Sequence, residues 1–207
     1  MGRDVSRYVD ACGARVPSVT EVLALAGFSA TFDFVPAKVL ERARVRGSDV
    51  HEWIDTIEIA GVEGQEPPEH IDQYVQAFLR WRDDYNPECL SAERTVVSLT
   101  HRYAGTLDLY ARVGGETVVV DFKTSAAKVA AAKVQTAGYR FALAQCAEVD
   151  EQDHARNARR AALYLHQDGR YTWDEHKNHR EDEADFLSAV RVAHWRLRHG
   201  AARIEDK

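Results

Sequence analysis

The stretch from Tyr103 to Lys123 constrains this chain more than any other. Apolar and polar side chains alternate on both sides of Gly114-Gly115, a pair that accepts the positive φ angles of a two-residue hairpin loop. Two strands joined this tightly have a fixed register. With Gly114 and Gly115 as the loop, Val113 faces Glu116, and counting outward sets Asp108 opposite Asp121. Directly opposed residues carry Cβ atoms about 4.5–5.5 Å apart, a spacing at which two carboxylates can share one divalent cation. The period of two puts Asp121 and Lys123 on one face and Val118, Val120 and Phe122 on the other. By the same count Leu107, Leu109, Ala111 and Val113 enter the core while Asp108 points away. One charged residue on a strand reads as solvent-facing. Two opposed acids repel unless a positive charge lies between them, and strand interiors disfavour aspartate. A cation held by Asp108 and Asp121 resolves that conflict.

The flanking sequence predicts what surrounds the hairpin. Ser18-Val-Thr-Glu21 reads as a capping box opening a short helix that stops at Gly27. A second helix is expected from Pro36 to about Ile59, with Val39, Ala43, Val50, Ile54 and Ile57 along one stripe and an interruption at Gly47. Gly61 to Glu69 reads as a loop, and Ile71 to Tyr85 as a third helix. After Pro87 the pattern turns to strands, at Thr95–Leu99, Tyr103–Val113 and Thr117–Phe122. An alanine-rich helix from Ala126 to Cys146, an acidic loop over 148–153, a hairpin of Ala161–Leu165 and Tyr171–Trp173, and a helix from Glu181 to Arg198 complete the chain. The expected architecture is α/β, a mixed central sheet flanked by helices. We expect one domain, with a helical N-terminal portion over 1–86 and the sheet-containing core over 87–207.

Composition narrows the chemistry. A chain of 207 residues that is 45% apolar can bury a sizeable core without staples. Cys12, Cys89 and Cys146 are odd in number and scattered, which argues against a disulfide framework, a cysteine-ligated zinc site or an iron-sulfur cluster. No run approaches the ~20 apolar residues of a membrane span, so a cytoplasmic protein that makes no membrane contact is expected. The net charge is −6, but its distribution is uneven: residues 101–145 carry 6 basic and 3 acidic groups, whereas residues 1–100 carry 10 and 17. The basic segment is the one that holds the paired acids.

Asp108 on one strand and Asp121-Phe-Lys123 on the next resemble the signature of the PD-(D/E)xK nuclease superfamily. Three further elements are similar to those of its RecB-type branch, which includes phage exonucleases. They are Gly47-Ser-Asp-Val-His51, Gly105-Thr-Leu-Asp108 and Gln135-Thr-Ala-Gly-Tyr139. Their order fits the branch, and together they span residues 47–139.

The resemblance implies a restriction-endonuclease-like core and a metal-dependent deoxyribonuclease. It is expected to act as an exonuclease in recombination, repair or phage DNA metabolism. It implies Asp108, Asp121 and Lys123 as catalytic residues. Mg²⁺ or Mn²⁺ would be held by Asp108, Asp121, the Phe122 carbonyl and His51, with Glu93 acting on the ion or its waters. Gln135 and Tyr139 would line the DNA groove, with Lys128 and Lys133 reaching phosphates. DNA is the implied partner, and the family leaves room for a recombination or single-strand-binding protein and for any oligomeric state. From the residues alone His51 reads as a core histidine, and the resemblance is what makes it a ligand; for Tyr139 the other reading is a tyrosine that packs the helix on the sheet. The polar run Asp174-Glu-His-Lys-Asn-His179 reads as a solvated loop, and Trp53, Trp81, Trp173 and Trp195 as packing residues. The alternative to a nuclease is a catalytically silent relative that binds nucleic acid or a partner.

Overall fold

The computed structural model describes residues 8–9, 13–28, 35–60, 66–125 and 127–204. Cys12, Gly61 and Ala126 therefore lie outside the described residues. Five strands form one sheet in chain order: β1 (Glu88–Ser98), β2 (Tyr103–Val113), β3 (Glu116–Lys123), β4 (Arg159–Leu165) and β5 (Tyr171–Glu175). Only β3 and β4 run parallel, so the sheet is mixed, as expected. That parallel pair needs a crossover, which α4 (Ala131–Cys146) and α5 (Gln152–Asn157) supply. The six-residue α5 starts inside the stretch expected to be loop.

Helices cover both faces. On one face α1 (Val19–Ala26), α4, α5 and α6 (His179–Arg198) pack with Val96, Tyr103, Leu107, Tyr110 and Val119. On the other, α2 (Ala37–Ala60) and α3 (Asp72–Tyr85) pack with Leu109, Ala111, Val113, Val118, Val120 and Phe122. The helical N-terminal portion thus shares the sheet's two cores.

Local chemistry explains the boundaries near the site. Ser18 Oγ accepts from Glu21 N–H at 3.1 Å while Glu21 Oε2 accepts from Ser18 N–H at 2.7 Å, completing the capping box. Gly27 closes α1 in the left-handed region at φ 82°. Gly114 and Gly115 take φ 62° and 88°, so the hairpin loop is the one the sequence called for. Three expectations are corrected. Helix α2 runs through Gly47 without a break, because the helix tolerates one glycine at a cost of about 1 kcal/mol. Its stripe is buried at Val50 and Ile54 but not at Val39, which is 51% exposed. Strand β1 begins at Glu88 and not at Thr95, so Glu93 lies in the middle of the strand.

Candidate active site

The β2–β3 ladder runs from Val113↔Glu116 to Leu109↔Val120, the register counted from the loop. One step further the ladder stops. Instead of pairing backbone to backbone, Asp108 Oδ2 accepts the Phe122 N–H at 2.7 Å. The carboxylate therefore fills the fork where the strands part. Opposite it on β1, Ala92 pairs with Leu109 and Arg94 with Leu107, leaving Glu93 between them at φ 46°. A non-glycine residue in that region is uncommon and points to a site held by its surroundings.

The side-chain alternation breaks at this place on both strands. Leu107 packs into the α1/α4 core and Leu109 into the α2/α3 core, although two residues apart they should share a face. Val96 and Ala92 divide in the same way on β1. The expectation that Leu107 joins Leu109 is thereby overturned. The physical reason is the local reversal at Glu93 and Asp108, which swings two acids toward one point.

Helix α2 delivers His51 to that point. Its Nδ1 lies 3.1 Å from Asp108 Oδ1 and its Nε2 lies 3.2 Å from the Phe122 carbonyl oxygen. The ring thus sits between two hard oxygen atoms, and in its neutral form one ring nitrogen carries a lone pair that a cation can take. One ligand atom each from His51, Glu93 and Asp108 fall within 4.8 Å of one another. Two carboxylates, a carbonyl oxygen and an imidazole suit a hard divalent cation, with the nitrogen favouring Mn²⁺ over an all-oxygen set.

Asp121 lies next to this group on β3. It is 2% exposed, and Asp108 is 5% exposed, so both carboxylates are inside the protein and not on an open hairpin face. Lys123 Nζ stands 2.6 Å from Asp121 Oδ2 and donates to Gln135 Oε1 at 3.0 Å. Gln135 Nε2 in turn donates to Asp121 Oδ1 at 2.9 Å and contacts the Tyr139 hydroxyl at 3.2 Å. Helix α4 therefore fixes the Asp121–Lys123 pair through Gln135. Gly105 makes room for it, since a Cβ there would sit 2.7 Å from the Tyr139 ring. Any larger residue would push Tyr139, and with it α4, off the strand.

The charges divide the two acids. Burial raises the Asp108 carboxyl, but the His51 charge and hydrogen bond, Lys123 and the Phe122 N–H together hold it below the ordinary range. Burial, aided by the neighbouring Asp108, outweighs Lys123 and His51 at Asp121 and pushes that carboxyl up. For Lys123 burial pulls downward, and the Asp121 and Asp108 charges override it to raise the ammonium. Burial and the same two carboxylates push the Tyr139 phenol well up.

A cleft of about 500 Å³ opens over these groups, lined by His51, Glu93, Asp108, Asp121, Lys123, Gln135 and Tyr139. Sequence reasoning missed Tyr8, Ser18, Thr20, Thr95 and Thr106 on the same wall. Tyr8 reaches it through its hydroxyl, 2.7 Å from Thr106 Oγ1. Nothing local in the sequence signals a contact across 98 positions. Two expected residues are not brought in. Lys128 Nζ pairs with Asp174 Oδ1 at 2.5 Å, and Lys133 is exposed on α4 outside the cleft lining. The expected solvated loop is also overturned at His176. That side chain is 7% exposed, and its Nδ1 lies 2.9 Å from Thr136 Oγ1 behind α4.

The model of the PD-(D/E)XK nuclease superfamily matches residues 68–206, two thirds of the sequence. The chain belongs to the PD-(D/E)XK nuclease superfamily. The match covers Glu93, Asp108, Asp121 and Lys123, while His51 precedes it on α2. Among curated proteins none matches by sequence. Similar solved structures include a putative exonuclease from Eubacterium rectale, at 12% identity and TM-score 0.52, covering 91% of this chain and 83% of that one. Another is an alkaline exonuclease from Laribacter hongkongensis, at 9% identity and TM-score 0.34, covering 96% and 95%. The first likeness supports the restriction-endonuclease-like α/β fold seen in the sheet. No helix among the described residues is long and apolar enough to cross a membrane.

Proposed function

We propose that this nuclease is a divalent-metal-dependent deoxyribonuclease that degrades DNA from an end. The observation that carries the reading is the grouping of His51, Glu93 and Asp108 donor atoms within 4.8 Å, beside the Asp121–Lys123 pair in one cleft. Asp108, Asp121, the Phe122 carbonyl and His51 would hold Mg²⁺ or Mn²⁺, with Glu93 a direct or water-bridged member of the set. When bound, such an ion supplies charge to the scissile phosphate and lowers the pKa of a water. The protein's own groups do the rest. Asp121, raised by its surroundings, gains most from a cation and so anchors one. Lys123, kept charged by Asp121, orients the attacking water and offsets the charge that develops on the phosphate. Gln135 holds the Lys123 ammonium in place, and Tyr139 walls the groove along which the strand lies.

Action from an end is supported by the likeness to the Eubacterium rectale structure, which bears the name putative exonuclease. Its setting would be recombination, repair or phage DNA metabolism. We read the whole chain as one nuclease domain. Digestion of end-labelled single- and double-stranded DNA, with Mg²⁺, with Mn²⁺ and with EDTA, tests the proposal. The expected result is stepwise release of short products with either metal and none with EDTA. Cleavage that ignores EDTA, or no cleavage with either metal, would overturn it.

A further inference from the structure

The outer end of α6 is chemically unlike the rest of this acidic chain. Between Asp185 and Glu205 the sequence holds four arginines, 191, 196, 198 and 203, and no acid. Arg191, Trp195 and Arg198, spaced four and three apart, share one helix face. Phe186, Ala189, Val190 and Ala193 are buried on the opposite side. Trp195, expected to pack, is instead 53% exposed. The His199 ring leans against it, with centroids 5.0 Å apart, and half of the residue still meets solvent.

The turn between β1 and β2 completes the feature. His194 Nε2 lies 3.0 Å from the His101 carbonyl, which ties that turn to α6. A cavity of about 390 Å³ lies between them, with Arg102, Arg191, His194, Trp195 and Arg198 on its walls and no acid among the described residues that line it. Cations in a last helical turn complement the helix dipole, which accounts for Arg196 and Arg198. It does not account for an exposed indole between two arginines, nor for the turn that closes the cavity. Arg196 Nη1 donates to the Leu25 carbonyl at 2.8 Å, fixing this end of α6 to the far end of α1. The near end of α1, at Ser18 and Val19, lines the metal cleft. Eight residues of helix, about 12 Å, span the interval.

We propose that this face is a second nucleic-acid contact, a site for single-stranded nucleic acid with a base stacked on Trp195 and phosphates paired with Arg191 and Arg198. The occupant follows from the chemistry. Arg191 and Arg198, exposed on one helix face, select a polyanion, and an open indole selects an unpaired base, the two parts of a sequence-tolerant single-strand site. The proposal shares its ligand class with the metal cleft but not its residues, so the two can fail separately.

The test is binding in EDTA, where cleavage is silent. Fluorescently labelled oligothymidylate of about 20 nucleotides, and a duplex of the same length, are titrated against the parent, Trp195→Ala, and Arg191→Ala/Arg198→Ala. Trp195→Ala should weaken single-strand binding about tenfold and duplex binding by less than about twofold. The double arginine variant should flatten the salt dependence on single strands by about 1.4 log units per log unit, as expected for two lost phosphate contacts. All three residues are exposed, so thermal melts should stay unchanged. Metal-dependent cleavage of a dinucleotide-sized substrate, too short to occupy both sites, should also be kept. Parental affinity in Trp195→Ala, an equal loss on single strands and duplex, or no single-strand binding by the parent would overturn the inference. Absence of cleavage with metal present would instead overturn the proposed function and leave the binding result standing.

Discussion

Two clusters of buried charge lie on either side of α4, and they are built on opposite plans. Behind the helix, Arg160 is fully buried and spends its donors on Asp182 Oδ2 at 2.7 Å, the Lys133 carbonyl at 2.7 Å and His179 Nδ1 at 3.1 Å. Arg140 donates to Glu183 at 2.9 Å and to the same His179 nitrogen at 3.1 Å. Two guanidinium donors on one ring nitrogen require a neutral imidazole there, and burial with the two arginines lowers the His179 pKa accordingly. Cations and acids balance, and the cluster is closed. In front of the helix, three acids, Glu93, Asp108 and Asp121, face one lysine and one imidazole. Asp121 Oδ2 has its ion pair with Lys123 but no directed hydrogen bond. The same helix thus separates a network that holds the fold from a constellation that suits an added cation. Buried charge alone does not mark a site; an unbalanced set of hard donors opening on a cleft does.

The comparison predicts opposite mutational behaviour. Asp121→Asn should reduce metal-dependent cleavage by about a thousandfold or more without lowering the melting temperature, because it removes a charge whose burial is costly and which repels Asp108. A variant that melts well below the parent would make Asp121 a structural residue like Asp182. Asp182→Ala should do the reverse, leaving Arg160 buried and unpaired at a cost of roughly 3–5 kcal/mol in denaturant unfolding. Stability within about 1 kcal/mol of the parent would show that the rear network does not hold the fold. Lys123→Met keeps most of the stem and loses the charge. Its turnover should fall about a hundredfold while calorimetric metal affinity changes little. Loss of metal binding in the folded variant would make Lys123 part of the cation site itself.

Much of this arrangement is legible in the amino-acid sequence. The Gly114-Gly115 loop fixes the β2–β3 register because both residues accept positive φ, and Ser18 with Glu21 fixes the start of α1 because each caps the other. That register brings Asp108 and Asp121 to neighbouring positions, although the ladder itself ends one step before them. What stays hidden is whatever depends on distant partners or on broken periodicity. Leu107 and Leu109 are both apolar, so nothing in the alternation betrays the reversal at Asp108. His176 lies in a run of polar residues, and only Thr136 and the Arg160 network, far along the chain, make it a buried one. Tyr8 joins the cleft wall by a contact of the same long-range kind.

The smallest effect sharpens the rear cluster. Burial and Arg160 push the His176 pKa down to about 4, against Asp174 and Asp182, which pull it up. A depressed histidine favours the neutral folded state. The unfolded chain binds the proton first, so this contribution is complete above about pH 6.5 and is lost as pH falls toward 4. By pH 5 the loss is about 2 kcal/mol. His176→Gln does not titrate, and its unfolding free energy should decline less steeply than the parent's over that window. Parallel profiles would show that His176 is not held neutral by its surroundings.

The claim that the front cluster is a cation site is tested most directly by isothermal titration of Mn²⁺ into the parent and into Asp108→Asn at neutral pH. Asp108 touches both His51 and the Phe122 N–H, so it ties two of the other proposed ligand residues to the opening between the strands. The account predicts saturable binding by the parent and affinity at least tenfold weaker in the folded variant. Equal affinity in the two proteins, or no binding by the parent, would contradict it.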